Sequence, residues 1–149
     1  MSLRVYLSGE IHTNWRELIT KKTDEMALDI SFQHPVLNHE LSDDCGRILL
    51  GSEEKKFWHD HKGAKLNALR TQNFIKNADI VVVRFGEKYR QWNAAFEAGY
   101  AAALGIPLIV IHSEEHQHAL KEVDAIALVV LNDLEKVASA LGYVLEGKL

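Results

Sequence analysis

Asp79-Ile80-Val81-Val82-Val83-Arg84-Phe85-Gly86, then Gln91-Trp92-Asn93-Ala94-Ala95-Phe96-Glu97-Ala98-Gly99-Tyr100-Ala101-Ala102-Ala103-Leu104-Gly105, then Leu108-Ile109-Val110-Ile111-His112 decide the fold. The two β-branched runs show no polar alternation, so they read as strands covered on both faces, as in the interior of a parallel sheet. The alanine-rich stretch between them reads as a helix from Asn93 to Leu104. It stops at Gly105, and Ile106-Pro107 hands the chain to the next strand. Parallel neighbours need a crossover of this kind.

Outward from this unit, Arg4-Val5-Tyr6-Leu7-Ser8 is a first strand ended by Gly9. A helical stretch follows from about Thr13 to Leu28, anchored by Trp15, Leu18, Ile19 and Met26. Ile30-Ser31-Phe32 is a short second strand, broken by His34-Pro35. The segment from there to about Gly63 reads as a long polar excursion, the kind of loop that is functional or disordered. A helix from Ala64 to Asn77 leads into the third strand, and Ala127–Leu131 with Asp133–Leu141 supply a last strand and helix. The alternation predicts an α/β fold, a flavodoxin-like doubly wound parallel sheet of five strands in the order 2-1-3-4-5, as one three-layer domain over residues 1–149. That order sets strands one and three side by side with their following helices on opposite faces. The crevice then opens between Ser8-Gly9-Glu10 and the Phe85 to Glu97 segment.

Composition narrows the partners. With 149 residues, 47% of them apolar, the chain can bury ~70% of its unfolded surface without metal or disulfide support. No apolar run approaches bilayer length and no secretory signal opens the chain, so a cytoplasmic protein without a membrane partner is expected. The net charge of −4 argues against polymeric nucleic acid, while leaving room for a local phosphate pocket. Cys45 stands alone beside Asp43 and Asp44, which oppose thiolate formation, and is read as structural.

Glu97 is the single charged side chain between Arg90 and His112. It has two readings. It can favour the positive end of its helix, worth ~0.3–1 kcal/mol, or it can be a partly desolvated carboxylate held by a hydroxyl, suited to act as nucleophile or base. The surrounding alanines leave it little polar face to join, which favours the second. Tyr6 and Ser8 share a face of strand one, so Tyr6 is either a hydrogen-bond partner for an acid above the strand or a packed core residue. Arg84, with Lys88 and Arg90 beyond it, either faces the crevice toward phosphate or carboxylate or forms an exposed basic loop. Substrate contacts are expected from Ser8, Gly9 and Glu10 on one wall and from Arg84, Gln91, Trp92 and Asn93 on the other.

His59-Asp60-His61 lacks the spacing of a helical zinc pair and reads as solvated loop, and His116 and His118 as surface. No phosphate-binding loop or dinucleotide fingerprint occurs, and neither metal nor cofactor is implied.

With these elements in place the chain resembles the nucleoside 2-deoxyribosyltransferase-like superfamily. Tyr6-Leu7-Ser8-Gly9 is similar to its opening strand, Ala78-Asp79-Ile80-Val81-Val82-Val83 to its strand before the active helix, and Ala95-Phe96-Glu97-Ala98-Gly99-Tyr100-Ala101 to its nucleophile helix. Arg84-Phe85-Gly86-Glu87-Lys88-Tyr89-Arg90-Gln91-Trp92-Asn93 is similar to the YtoQ branch in particular. The resemblance implies that Glu97 attacks the anomeric carbon of a nucleoside or nucleotide, with Tyr6 orienting it. A covalent glycosyl-enzyme then passes to water or to a second base. It also implies a closed homo-oligomer. The small residues from Ala94 to Ala103, with Trp92, suit close helix packing between subunits, and Phe57 and Trp58, apolar side chains otherwise left exposed, suit covering a neighbour's pocket.

Two departures stand out. Thr71 occupies the position of the acid that assists the leaving base, and Gln91-Trp92-Asn93-Ala94 replaces the acid-Gly-Ser/Thr segment. Glu10 and Asp44 are the carboxylates available to stand in. The alternative reading is a binding module that holds a nucleotide or ADP-ribose-like ligand in the same crevice without turnover.

Overall fold

The computed structural model describes residues 2–149. Its strands are β1 (Leu3–Gly9), β2 (Ile30–Gln33), β3 (Ile80–Arg84), β4 (Leu108–Ile111) and β5 (Val129–Leu131). Its helices are α1 (Trp15–Glu25), α2 (His39–Leu50), α3 (Lys56–Asn77), α4 (Trp92–Ala103), α5 (Lys121–Ile126) and α6 (Glu135–Glu146), with a 3-10 turn at Glu114–His116. All five strands run parallel in the order β2-β1-β3-β4-β5, which is the expected doubly wound sheet. No helix among the described residues is long and apolar enough to cross a membrane.

Strand alternation sorts the core into two layers. Val5, Leu7, Ile80, Val82, Ile109 and Ile111 face Trp15 and Ile19 of α1 and Val137 and Leu141 of α6. Tyr6, Val81, Val83 and Val110 face Ile75 of α3 and the stripe Ala94, Ala98 and Ala101 of α4. Each large side chain buried this way contributes ~1.5–3 kcal/mol, and a one-residue slip would turn every one of them to the other layer. Register is therefore strongly held. Ser8, of the same parity as Tyr6, must face the α4 side.

The polar excursion is a correction. Residues 39–50 form α2, and α3 begins at Lys56 rather than near Ala64. The Asn38 side chain caps α2 by accepting from the Leu41 N–H at 2.9 Å. The two helices then cross at a pair of glycines: a Cβ at Gly46 would lie 2.8 Å from the Gly63 nitrogen, and one at Gly63 would lie 2.9 Å from the Asp43 carbonyl oxygen. The glycines let the backbones close up, and polar contacts rather than apolar burial span the pair: Asn67 Nδ2 donates to the Ser42 carbonyl at 3.0 Å and to its hydroxyl at 3.1 Å, and His59 Nε2 lies 3.2 Å from Asp44 Oδ1. Its sequence therefore looks like loop.

Candidate active site

The register pairs Ser8 with Val83 and Gly9 with Arg84, so β1 and β3 end side by side just where their helices depart to opposite faces. Gly9 makes this possible. Its φ is 112°, and a Cβ there would sit 2.0 Å from the Arg84 carbonyl oxygen. The Glu10 N–H continues the pairing, donating to that same oxygen at 3.1 Å.

Glu97 lies in the second turn of α4, half-buried and above β1. The fully buried Ser8 donates its hydroxyl to Glu97 Oε2. Oε1 carries no hydrogen bond among the described residues, which leaves one carboxylate oxygen oriented and the other open. Burial raises the Glu97 carboxyl above its ordinary range, and the Ser8 hydroxyl and the Arg16 charge pull it part of the way back.

Arg16 is a site residue that sequence reasoning missed. It projects from α1 over the end of β1 and gives its guanidinium to backbone carbonyls: Nε to Leu7 at 3.0 Å, Nη1 to Glu10 at 2.6 Å and Nη2 to Gly9 at 3.2 Å. The guanidinium also lies 4.5 Å from the Trp15 ring centroid. Burial pushes its pKa down to about 10 against the charges of Glu10, Tyr6 and Glu97, so it stays cationic at neutrality. A signal was present. Arg16 keeps helical step with the buried Ile19 and Thr23 on the inner face of α1.

Glu10 is held differently from a proton donor. Oε2 accepts from the His12 N–H at 2.7 Å and the Thr13 N–H at 3.1 Å, while Oε1 accepts from the Thr13 hydroxyl and from Arg84 Nη1 at 2.9 Å. Burial alone would favour its neutral form, yet these donors together hold the carboxyl below its ordinary range. The structure thus spends Arg84 on Glu10 and Thr13. Asp44, on α2, is likewise held low, first by its hydrogen bond to Arg47, and also faces His59.

Tyr6 is fully buried, and its hydroxyl donates to Thr71 Oγ1 at 3.4 Å rather than to Glu97. Burial and then the Glu97 charge push the phenol well above its ordinary value, so it keeps its proton. Gln91 braces the β3–α4 loop, accepting from the Gly86 N–H at 3.1 Å and donating to the Lys88 carbonyl at 2.6 Å. That brace carries Tyr89, at φ 65°, whose ring meets His12 with centroids 4.7 Å apart. Trp92 and Asn93 open α4 on its exposed end.

His59 and His61 lie within α3 rather than in a loop, and no group of three metal-ligating side chains is brought together among the described residues. A groove of about 560 Å³ beside α1 and β2, which Leu7, Arg16, Phe32 and Leu37 help to line, does not reach Glu97.

A 2-1-3-4-5 parallel sheet with a half-buried carboxylate at its switch point defines a flavodoxin-like α/β domain with a carboxylate-centred crevice. The chain belongs to the family described as "Nucleoside 2-deoxyribosyltransferase YtoQ", whose profile matches residues 6–145. It is 42% identical over 146 residues to the "Uncharacterized protein YtoQ" of Bacillus subtilis (strain 168), covering 98% of this chain and 99% of that protein. Among solved structures, a 2-deoxyribosyltransferase from Bacillus psychrosaccharolyticus superposes with a TM-score of 0.52 at 15% identity, over 91% of this chain and 90% of that one. A de novo designed Rossmann 2x3 protein gives a TM-score of 0.51 at 17% identity, over 99% and 92%. The second match makes plain that such likeness concerns the fold; the chemistry has to be argued from the site.

Proposed function

We propose that the chain cleaves the N-glycosidic bond of a nucleoside or nucleotide through a covalent glycosyl-Glu97 intermediate, as hydrolase or deoxyribosyltransferase. The observation that carries this reading is the Glu97 carboxylate itself: one oxygen held by Ser8, the other open, in a desolvated position beside a buried cation. In the first step Oε1 bonds to the anomeric carbon as the bond to the base breaks. In the second, water or an incoming base takes the sugar and the carboxylate is regenerated. The family description supports nucleoside glycosyl chemistry in general terms.

The test is base release across a panel of nucleosides and their 5′-phosphates, with mass spectrometry of rapidly quenched protein. Glu97→Gln should lose at least ~100-fold in base release while retaining ligand binding, because an amide is too poor a nucleophile. Thr71, standing where an acid is expected, favours the second reading, a non-catalytic nucleotide- or ADP-ribose-like-ligand-binding module. Wild-type protein that binds nucleotide yet releases no base and forms no adduct would establish that one.

A further inference from the structure

The side chains set around Glu97 offer no acidic proton to a leaving base. The Ser8 proton points at Glu97 and the Tyr6 proton at Thr71. The Arg16 guanidinium is tied to three backbone carbonyls. Glu10 accepts from four donors and is an anion. Among the described residues, no second carboxyl group and no imidazole hydrogen-bonds to Glu97, Ser8 or Tyr6. The His12 ring lies instead against Tyr89, out at the loops flanking the crevice.

A neutral purine or pyrimidine leaves its sugar as an anion unless a proton reaches it in the transition state. A positioned general acid contributes ~10²–10⁴-fold to such a step. A pyridinium ring needs none. The electron pair of the breaking C–N bond neutralises its ring nitrogen, and it departs as neutral pyridine. We propose that this site acts on pyridinium N-glycosides, ribosides or ribotides of the nicotinamide type, in preference to neutral purine and pyrimidine nucleosides. The proposal rests on Glu97 being the nucleophile.

In the first step the C1′–N bond breaks, its pair goes to the ring nitrogen, and Glu97 Oε1 bonds to C1′. In the second, water bonds to C1′, the Glu97 ester pair returns to the carboxylate, and the surplus proton passes to solvent. One water is consumed, one proton is released, and nothing is oxidised or reduced. A cationic ring also matches the anionic Glu97 carboxylate that it must approach, whose one hydrogen-bond partner among the described residues is the neutral Ser8 hydroxyl.

The experiment compares nicotinamide riboside and its 5′-phosphate with adenosine, inosine, cytidine and their 2′-deoxy counterparts. Base release is followed by chromatography for wild type and Glu97→Gln, each rate being divided by the uncatalysed rate of the same compound. The expected enhancement is at least ~100-fold larger for the pyridinium compounds than for any neutral nucleoside, is lost in Glu97→Gln, and is accompanied by one proton per turnover in weakly buffered solution. Equal or greater enhancement for neutral nucleosides, still lost in Glu97→Gln, would overturn the leaving-group proposal and leave the glycosyl-Glu97 reading intact. Release that survives Glu97→Gln, or no release from either class, would overturn both.

Discussion

Ser8, at the carboxyl end of β1, donates its hydroxyl to Oε2 of Glu97, a side chain 89 residues further along the chain and one helix above the sheet. Tyr6, two residues earlier on the same face, gives its hydroxyl to Thr71. The resemblance assigned the orienting role to tyrosine; the geometry gives the hydrogen bond to serine. Ser8→Ala should therefore lose ~10- to 100-fold in base release, the equivalent of a hydrogen bond of ~1.5–3 kcal/mol to a charged group. Tyr6→Phe should lose less than ~10-fold. Initial rates of both variants at saturating and limiting substrate test this, and the reverse order would return the orienting role to Tyr6.

Glu97 must be ionised to attack, and burial raises its carboxyl above the ordinary value. Activity should accordingly rise with pH through that raised value. Arg16→Gln removes a charge that favours the carboxylate, so the rising limb should move to higher pH. A purely structural loss would instead lower the plateau and leave the limb where it was.

The same carboxylate should weaken the fold. A group whose folded-state pKa is raised contributes stability below its unfolded value and loses it as pH climbs through the folded one. At neutral pH Glu97 is then a net liability, and Glu97→Gln should stabilise the protein by ~1 kcal/mol, a gain of roughly 2–4 °C in Tm. At pH 4, where wild-type Glu97 is protonated, the difference should vanish. Thermal melts at both values decide it.

Gly9→Ala should be severe, because the new Cβ meets the Arg84 carbonyl at 2.0 Å as well as adopting φ 112°. At least ~3 kcal/mol is expected, a fall of roughly 6–12 °C in Tm. Gly105→Ala shares a positive φ of 72° but meets nothing within 4 Å. It should show only the backbone part, ~1 kcal/mol. Equal melting losses would show that contact with β3 does not matter.

Trp92 and Phe96 are 74% and 62% exposed on α4, and Phe57 and Trp58 are exposed at the start of α3. Aromatic surface of this extent seeks a partner. Self-association through α4 is expected, with Phe96→Glu dissociating the assembly. Sedimentation of wild type as a single monomer at micromolar concentration would count against it.

Local pattern by itself located the five strands and placed Glu97 in the helix after β3, because hydrophobic periodicity acts over a few residues at a time, and the β/α alternation with the crossover rule then gave the doubly wound order. The helix α2 escaped that reading: Ser42, Asp43, Asp44 and Gly46 resemble loop, its apolar residues Leu41, Ile48 and Leu49 stay exposed instead of joining the core, and its contact with α3 is made by the close crossing of Gly46 with Gly63 and by Asn67 bonding to Ser42. Only the tertiary structure decided which hydroxyl meets Glu97, that Arg16 caps the end of β1, and that Glu10 is locked as an anion by Thr13, His12 and Arg84. A hydrogen bond tolerates a few tenths of an ångström. Such tolerances are met by strand register and side-chain direction acting together, neither of which is written in the spacing of residues along the chain.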